Sequence, residues 1–280
     1  MSRVAGPPTS LLHRYPPPAL MGVVNVTPDS FSDPGRFEAT EDAVAEGLRH
    51  AHEGAAIVDV GGESTRPGSE GVSLDVELGR VLPVLEGIRA LSDVPLSIDT
   101  SKSEVADAAI RAGASMVNDV TALGDPRMAA LVAETGVDLC LMHMLGTPRT
   151  MQLDPRYDDV VAEVSDWLCE RVERACDDGV PRERICVDPG IGFGKNLDHN
   201  LRLLAHTDVI RARCGTPVLI GLSRKSFLGR IMGDMDRDRT VPTIAANLEA
   251  ARRGAFMLRV HDVGVHRDAF AAVDAIASRA

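Results

Sequence analysis

Residues 20–26, Leu-Met-Gly-Val-Val-Asn-Val, form the first of a series of short apolar runs that decide the fold. The later runs are 56–60, 94–98, 115–118, 138–142, 184–187, 217–221 and 256–260. Most are rich in Val, Ile and Leu at successive positions, which is typical of parallel strands covered on both faces. Segments with helical spacing of apolar residues lie between them, the longest at 158–178. The chain therefore alternates strand and helix from residue 20 onward.

This alternation gives about eight β–α units in about 260 residues, the usual size of a (β/α)₈ barrel. We therefore predict an α/β fold with one (β/α)₈ TIM barrel domain over residues 19–280. An open doubly wound sheet is the alternative, and its first strand would be expected to lead into a Gly-rich phosphate-binding turn. The first run leads instead into Asn25-Val-Thr-Pro-Asp-Ser30, which favours the barrel.

Composition limits the classes of partner. Of the 280 residues, 44% are hydrophobic and 25% are charged, and the net charge of −11 argues against a general binder of nucleic acid or acidic membranes. The five cysteines form no C-x-x-C pair, which suits a reducing compartment. No apolar run reaches the roughly 18 residues that span a bilayer. Residues 1–18 are Pro-rich and lack the apolar core of a signal peptide, so we expect a flexible extension on a soluble, cytoplasmic protein.

Polar residues follow the predicted strands at their C-terminal ends. They are Asn25, Asp59, Asp99, Asn118, Asp119, His143, Asp188, Ser223, Arg224, Lys225, Arg259 and His261. In a barrel these ends converge on one face, which is where active sites lie. Helix capping is an alternative role for some of the Asp and Asn residues, but it does not explain Lys225, Arg259 or His261. We therefore predict one shared polar pocket.

Three loops at this face have the composition of ligand-binding segments, although each taken alone could be an ordinary turn. The loop 61–68 is Gly-rich and carries Arg66, whose planar guanidinium suits phosphate. The loop 188–195 holds three Gly and an apolar Phe193. The segment Gly221-Leu-Ser-Arg-Lys-Ser226 ends a strand and begins a helix, where backbone N–H groups bind anions. Met142 packs either near a ligand or in the core.

The predicted pocket suits a ligand with two different ends. Asp99, Asn118 and Asp188 can pair with the edge of a flat heterocycle that carries N–H donors. The basic residues suit phosphate or diphosphate, and they are Arg66, Lys225, Arg259 and His261. Asn25 can hold Mg²⁺ that bridges phosphate oxygens, because this ion keeps several waters and needs few protein ligands. No zinc-ligand spacing, P-loop or G-x-S-x-G elbow is present in the sequence.

The ordered motifs resemble those of the dihydropteroate synthase family of the folate pathway, over nearly the whole chain from residue 20. They are Asn25-Val-Thr-Pro-Asp-Ser-Phe-Ser-Asp33, Asp59-Val-Gly-Gly-Glu-Ser-Thr-Arg-Pro-Gly68, Ser97-Ile-Asp-Thr100, Asn118-Asp119, Leu141-Met-His143, Asp188-Pro-Gly-Ile-Gly-Phe-Gly194, Ser223-Arg-Lys225 and Arg259-Val-His-Asp262. The resemblance implies a homodimeric (β/α)₈ barrel that is inhibited by sulfonamides. It also implies a transferase that joins 4-aminobenzoate to 6-hydroxymethyl-7,8-dihydropterin diphosphate, releasing diphosphate and forming 7,8-dihydropteroate.

The resemblance also implies roles for individual residues. The pterin would be held by Asp99, Asn118, Asp188 and Lys225, with Met142 and Gly221 lining the same substrate site. Asn25 would contact Mg²⁺ on the diphosphate, and Arg66, Arg259 and His261 would bind that leaving group. The aminobenzoate pocket would be formed by Thr65, Pro67, Phe193 and Ser226. We expect Lys225, Arg259, His261 and Asp99 to be the catalytic residues.

The implied mechanism is dissociative, with loops 27–37 and 63–72 closing over the site to exclude water. The chain departs from the family where Pro34-Gly35 follows Asp33 instead of two Gly, which puts the closure of that loop in question. The segment Ser64-Thr-Arg-Pro67 keeps the family pattern, so we expect sensitivity to sulfonamides.

Two other functions compete with this interpretation. One is a pterin-dependent methyltransferase barrel that serves a corrinoid partner, but that chemistry has no diphosphate for the basic residues to bind. The other is a non-catalytic paralogue, which would be expected to lack some of the carboxylate or basic positions. None of them is missing.

Overall fold

Eight parallel strands form a nearly closed barrel in the computed structural model, which describes residues 10–27 and 36–279. The strands are β1 (Ala19–Asn25), β2 (Ile57–Gly61), β3 (Leu96–Asp99), β4 (Met116–Asp119), β5 (Asp138–Met142), β6 (Ile185–Asp188), β7 (Leu219–Ile220) and β8 (Met257–Val260). Their order is β6-β5-β4-β3-β2-β1-β8-β7, and an isolated bridge between Val187 and Val218 joins β6 to β7. The predicted (β/α)₈ barrel is confirmed.

Helices connect the strands and cover the outside of the barrel. Within the described residues they are α1 (Leu11–Arg14), α2 (Arg36–Glu53), α3 (Leu74–Leu91), α4 (Ser103–Arg111), α5 (Met128–Thr135), α6 (Val160–Asp177), α7 (Leu197–Ala205), α8 (Thr207–Cys214), α9 (Ser226–Met232), α10 (Thr240–Arg252) and α11 (Val263–Ala277). The outward-facing strand residues pack against the apolar faces of these helices, as Val58 and Val60 do with Val81 and Leu85 of α3. This layer is the main core.

A second apolar cluster fills the barrel interior near the starts of the strands. It contains Met21, Met116, Cys140 and Met257, together with residues that precede the barrel. This cluster occupies the N-terminal end of the barrel, whereas the active sites of such barrels lie at the opposite end.

The segment before β1 closes the N-terminal end of the barrel. Leu11 and Tyr15 are 0% and 1% exposed and belong to the interior cluster, and Ser10 caps the short helix α1. The Arg14 guanidinium donates to Asp138 at 2.6 Å. The predicted flexible extension over 1–18 is therefore wrong for residues 10–18, because two apolar side chains in a Pro-rich context bury themselves under the barrel. Residues 1–9 lie outside the described residues.

Truncating Leu11 to Ala is expected to lower the free energy of unfolding by about 2–5 kcal/mol, because it opens a cavity at a fully buried position. Leu12 lies in the same turn but is 50% exposed, so Leu12→Ala is the matched control and should change stability by less than about 0.5 kcal/mol. Urea unfolding of both variants measures the difference. Equal effects of the two substitutions would contradict a closing role for Leu11.

Within residues 10–27 and 36–279, the helices include none with both the length and the apolar character needed to cross a membrane.

Candidate active site

Four polar side chains from separate strands meet at the C-terminal end of the barrel. Arg259 on β8 donates from Nε to Asp59 Oδ2 at 2.7 Å and from Nη2 to Asp99 Oδ2 at 2.8 Å. Asn118 on β4 donates from Nδ2 to the same Asp59 oxygen at 3.1 Å. We call these four residues the Arg259 cluster. The sequence separation of 200 residues between Arg259 and Asp59 shows that the barrel, rather than local structure, assembles it.

Burial sets the electrostatics of the Arg259 cluster. Burial raises the pKa of Asp99 to about 7; the charge of Arg259 opposes this shift and Asp59 adds to it. Burial disfavours the charge of Arg259, but Asp59 and Asp99 outweigh that effect and raise the pKa of the guanidinium. Arg259 therefore stays protonated at all accessible pH values, and the cluster combines one fixed cation with adjacent carboxyl groups.

A second group surrounds Lys225 at the same end. The Lys225 ammonium donates to the Ile191 carbonyl and lies 4.4 Å from the centre of the Phe193 ring. Asp188, which ends β6, accepts a hydrogen bond at Oδ1 from the Gly190 amide at 2.7 Å. Burial lowers the pKa of Lys225 to about 8; Asp188 opposes the shift and Arg259 reinforces it. We call Asp188, Phe193 and Lys225 the Lys225 group.

The Lys225 group and the Arg259 cluster adjoin each other at Gly221. A Cβ atom at this position would lie 3.5 Å from Asp188 Oδ2 and 3.9 Å from Arg259 Cβ, so Gly221 sits between the two sets. The carboxyl of Asp188 interacts electrostatically with both cations. Burial raises its pKa, and the charges of Lys225 and Arg259 lower it. The two groups therefore form one site.

His261 borders the site from the loop after β8. Its Nδ1 atom lies 2.9 Å from Ser223 Oγ, and burial together with Arg259 and Arg224 lowers its pKa to about 4. The imidazole is therefore neutral at pH 7 in the free protein. It offers one N–H donor there rather than a permanent positive charge.

The other predicted site residues stand at or after strand ends at the same end of the barrel. Within the described residues, their side chains make no hydrogen bond or ion pair with the Arg259 cluster or the Lys225 group. Thr65 is half-buried, while Arg66 and Pro67 are exposed on the loop after β2. Ser226 is exposed at the start of α9, Asn25 is half-buried at the end of β1, and Met142 is buried beside Asp188 in the β5–β6 register. Residues 28–35, including Pro34 of the predicted loop 27–37, lie outside the described part of the chain.

The loop that carries Thr65, Arg66 and Pro67 is anchored by an ionic network. Lys102 Nζ lies 2.5 Å from both Glu63 Oε2 and Glu77 Oε2, and Glu77 is fully buried. The Thr100 hydroxyl donates to Glu77 at 2.6 Å, and Glu63 also accepts from the Val72 amide at 3.1 Å. The base of the loop is thus fixed to α3 and to the end of β3.

Sequence reasoning placed Asp59 and His143 in the shared pocket without their partners, and it gave no role to Lys195. Asp59 was identified only as a strand-end residue, but it is the shared partner of Arg259 and Asn118. Lys195, which is 2% exposed, bonds His143 Nδ1 at 2.8 Å and the Phe193 carbonyl at 2.9 Å. His143 therefore pairs with Lys195 and holds the 188–195 loop. The position of Lys195 at the end of the Gly-rich motif 188–195 was the sequence feature that could have indicated its role.

Comparison with known proteins agrees with this fold and site. The family model described as "Pterin binding enzyme" matches residues 21–261. The dihydropteroate synthase of Escherichia coli (strain K12) is 44% identical over 261 residues, which cover 93% of this chain and 92% of that protein.

Solved structures give the same result. The structure of Xanthomonas albilineans dihydropteroate synthase with 4-aminobenzoic acid has a TM-score of 0.86 and 48% identity, covering 92% of this chain and 93% of that one. The Yersinia pestis dihydropteroate synthase in a sulfonamide drug complex has a TM-score of 0.87 and 41% identity, covering 93% and 94%.

The fold and the site thus define a barrel enzyme of the pterin-binding class, with buried carboxylates beside fixed cations. More narrowly, the chain belongs to the dihydropteroate synthase family, whose members are transferases.

Proposed function

We propose that the protein joins 4-aminobenzoate to 6-hydroxymethyl-7,8-dihydropterin diphosphate, forming 7,8-dihydropteroate and diphosphate. The observation that carries this proposal is the adjacency of the Arg259 cluster and the Lys225 group at one end of the barrel. Carboxyl and amide groups there suit the N–H edge of a pterin, and cations beside them suit a diphosphate. The 4-aminobenzoic acid bound to the Xanthomonas albilineans protein supports the second substrate.

In the proposed complex, Asp188, Asn118 and Asp99 accept hydrogen bonds from the pterin and Lys225 donates to its ring acceptors. Asp188 Oδ2 supports this role, because none of the described residues donates a hydrogen bond to it while Oδ1 is held by Gly190. The amide of Asn118 is already oriented by Asp59, so its oxygen stays available to a ligand. Gly221 leaves room for a flat ring between Asp188 and Arg259.

The diphosphate would be bound by Arg259, His261 and Arg66. Arg259 uses Nε and Nη2 on carboxylates, which leaves N–H donors of its fork for an anion. His261 is neutral in the free protein and would donate one N–H. Arg66 is exposed on its loop, so its guanidinium is accessible to an anion that enters the site.

The residues fit a magnesium ion that arrives with the diphosphate. The described residues include no group of three or more His, Cys, Asp or Glu side chains that could hold a metal ion by themselves. One amide oxygen, that of Asn25 at the end of β1, suits an ion whose other ligands are phosphate oxygens and water. When bound, Mg²⁺ would stabilise the negative charge of the leaving diphosphate.

The proposed reaction breaks the bond between the pterin methylene carbon and the diphosphate oxygen before the new bond forms. Diphosphate keeps the electron pair and is stabilised by Arg259, Arg66 and His261. The methylene becomes a cation delocalised into the ring, and the nearby carboxylates of Asp99 and Asp188 stabilise it. The amine nitrogen of 4-aminobenzoate then attacks to form the new C–N bond, and one of its protons passes to the released diphosphate. An aniline amine is unprotonated near neutral pH, so no strong base is needed.

The acceptor would bind between the loops at the mouth of the barrel. Phe193 is held by Lys225 through a cation–π contact and offers an apolar face for the benzoate ring. Thr65, Pro67 and Ser226 would complete the pocket. Loops 27–37 and 63–72 would close over it and exclude water, which otherwise captures the cation.

Product analysis tests this function directly. Purified protein is incubated with the pterin diphosphate, Mg²⁺ and 4-aminobenzoate, with each component omitted in turn. We expect dihydropteroate only in the complete mixture. A folded protein that makes no dihydropteroate but transfers a methyl group from a methylated pterin to a corrinoid would instead support the methyltransferase alternative.

We also expect sulfonamides to inhibit the protein by competing with 4-aminobenzoate. The Ser64-Thr-Arg-Pro67 loop keeps the family pattern, and a sulfonamide complex of the similar Yersinia pestis protein supports the same site here. Initial rates at several aminobenzoate concentrations should show a rising apparent KM with unchanged kcat. No inhibition at concentrations far above that of aminobenzoate would contradict this expectation.

The homodimer and the cytoplasmic location stay predictions.

A further inference from the structure

Arg224 lies between two residues of the site with a strained backbone. Its φ is +57°, in the left-handed region that non-glycine residues occupy only when the surroundings hold them there. Ser223 before it contacts His261, and Lys225 after it belongs to the Lys225 group. Left-handed residues of this kind cluster at functional sites, where the strain fixes the direction of a neighbouring side chain.

Several interactions hold Arg224 in this conformation. Its backbone N–H donates to Thr243 Oγ1 at 3.2 Å, and its carbonyl accepts from Arg239 Nη1 at 3.1 Å. Its guanidinium makes a bidentate pair with Asp262, with Nε to Oδ2 at 3.0 Å and Nη2 to Oδ1 at 2.5 Å. Both backbone polar groups and the Nε–Nη2 edge of the guanidinium are therefore occupied.

Asp262 is itself held in place and is the neighbour of His261. Its carbonyl oxygen lies 2.6 Å from His266 Nδ1, and the other nitrogen of that imidazole contacts Asn247 at 2.9 Å. The loop after β7 is thus joined to the loop after β8 by two side-chain links in parallel, one between Ser223 and His261 and the other between Arg224 and Asp262.

The position of this pair suits a role in activity better than one in stability. The Arg224 and Asp262 side chains are 53% and 23% exposed, and ion pairs at the surface contribute little to the free energy of unfolding. The pair nevertheless fixes the backbone directly before Lys225 and directly after His261. In the proposed function these two residues contact the two ends of one substrate.

We propose that Arg224 and Asp262 act as a positioning pair, which sets the distance between Lys225 and His261 and so aligns the pterin with its leaving diphosphate. This inference rests on the proposed function. Neither residue of the pair needs to touch the substrate. Loss of the pair would leave the Ser223–His261 contact to hold the two loops together and would loosen their relative position. Small misplacements in a reacting complex cost about 10-fold to 100-fold in rate.

The test is a double-mutant cycle with Arg224→Gln, Asp262→Asn and the combined variant. Each single substitution is expected to lower kcat about 10-fold or more, and the double variant should be no worse than either single one. The KM for 4-aminobenzoate and the urea unfolding midpoint should stay close to those of the wild type. A third variant, Arg224→Gly, relaxes the backbone strain while removing the pair, and it should lose the same activity as Arg224→Gln.

Two outcomes would overturn the proposal. Full activity of Asp262→Asn beside a strong loss in Arg224→Gln would mean that Arg224 acts on the substrate by itself. Multiplying effects in the double variant would mean that the two residues act independently. If the wild type forms no dihydropteroate, the proposed function is wrong, and the positioning pair needs a separate test. The affinity of each variant in the cycle for the pterin diphosphate is then measured by calorimetry. Non-additive losses of binding free energy support the pair, and additive losses contradict it.

Discussion

Replacing Arg259 with Gln is expected to lower the free energy of unfolding by about 3–5 kcal/mol and to remove the transferase activity. Arg259 is the counter-charge of Asp59, which is fully buried, and of Asp99, at 2.7 and 2.8 Å. Removing one partner of a buried ion pair leaves the other charges uncompensated, which is what makes such substitutions costly. The activity is expected to fall because the variant also lacks the fixed cation that binds the leaving diphosphate in the proposed function.

A second substitution separates these two effects. In the combined variant Arg259→Gln with Asp59→Asn, the buried uncompensated charge of Asp59 is gone, so most of the lost stability should return. The activity should not return, since no cation has been restored. Urea unfolding and product formation measure both quantities. Recovery of activity in the double variant would show that Arg259 serves only to neutralise Asp59.

Replacing Asp188 with Asn is expected to lower kcat/KM for the pterin diphosphate by about 100-fold with little change in stability. The amide keeps the acceptor oxygen for Gly190 but presents an NH₂ group where the pterin needs an acceptor in the proposed complex. The matched control is Asp198→Asn, an exposed position in α7, which should leave kcat/KM unchanged.

The same Asp188 variant should also shift the pH profile. The pKa of Lys225 is about 8 because burial lowers it while the charge of Asp188 raises it. Removing that negative charge lowers the pKa further, so Lys225 loses its proton at a lower pH. The decline of kcat/KM at alkaline pH should therefore begin at a lower pH in Asp188→Asn than in the wild type. An unchanged profile would contradict the contact of Lys225 with the reacting substrate.

The strands and the position of the polar residues at their ends were predictable because both follow from local sequence patterns. Each predicted apolar run overlaps an observed strand, and the bounds differ by two residues at most. Four of the polar residues at the run ends meet, namely Asp59, Asp99, Asn118 and Arg259. Strands that are buried on both faces need apolar side chains at most successive positions, and this makes the runs visible in the sequence. The residues at the C-terminal ends were therefore recognisable before any contact was known.

The pairings within the site were not predictable, because they join residues far apart in sequence. Nothing near Asp59 indicates that it shares Arg259 with Asp99, and nothing near Arg224 indicates Asp262 as its partner. The burial of His50 on helix α2 was not predictable for the same reason. It is fully buried against Val23, because Gly22 leaves space for its ring, and neither fact is visible in the helical pattern of α2.

The N-terminal segment shows where composition misleads. Its prolines and lack of a signal-type apolar core indicated a flexible extension, but two apolar side chains were enough to attach it. Leu11 and Tyr15 pack among Met21, Met116 and Met257 inside the barrel. The free energy of such a contact depends on the cavity available for it, which composition does not reveal.

In the proposed function, the C-terminal end of this barrel replaces the diphosphate of the pterin substrate by 4-aminobenzoate. The most direct measurement follows diphosphate and dihydropteroate in the same sample for wild type, Lys225→Ala and the exposed control Arg230→Ala from helix α9. The wild type and Arg230→Ala should release one diphosphate for each dihydropteroate formed, while Lys225→Ala should form neither at a comparable rate. Equal product formation by Lys225→Ala would contradict the role of Lys225, and no product from the folded wild type would contradict the proposed function.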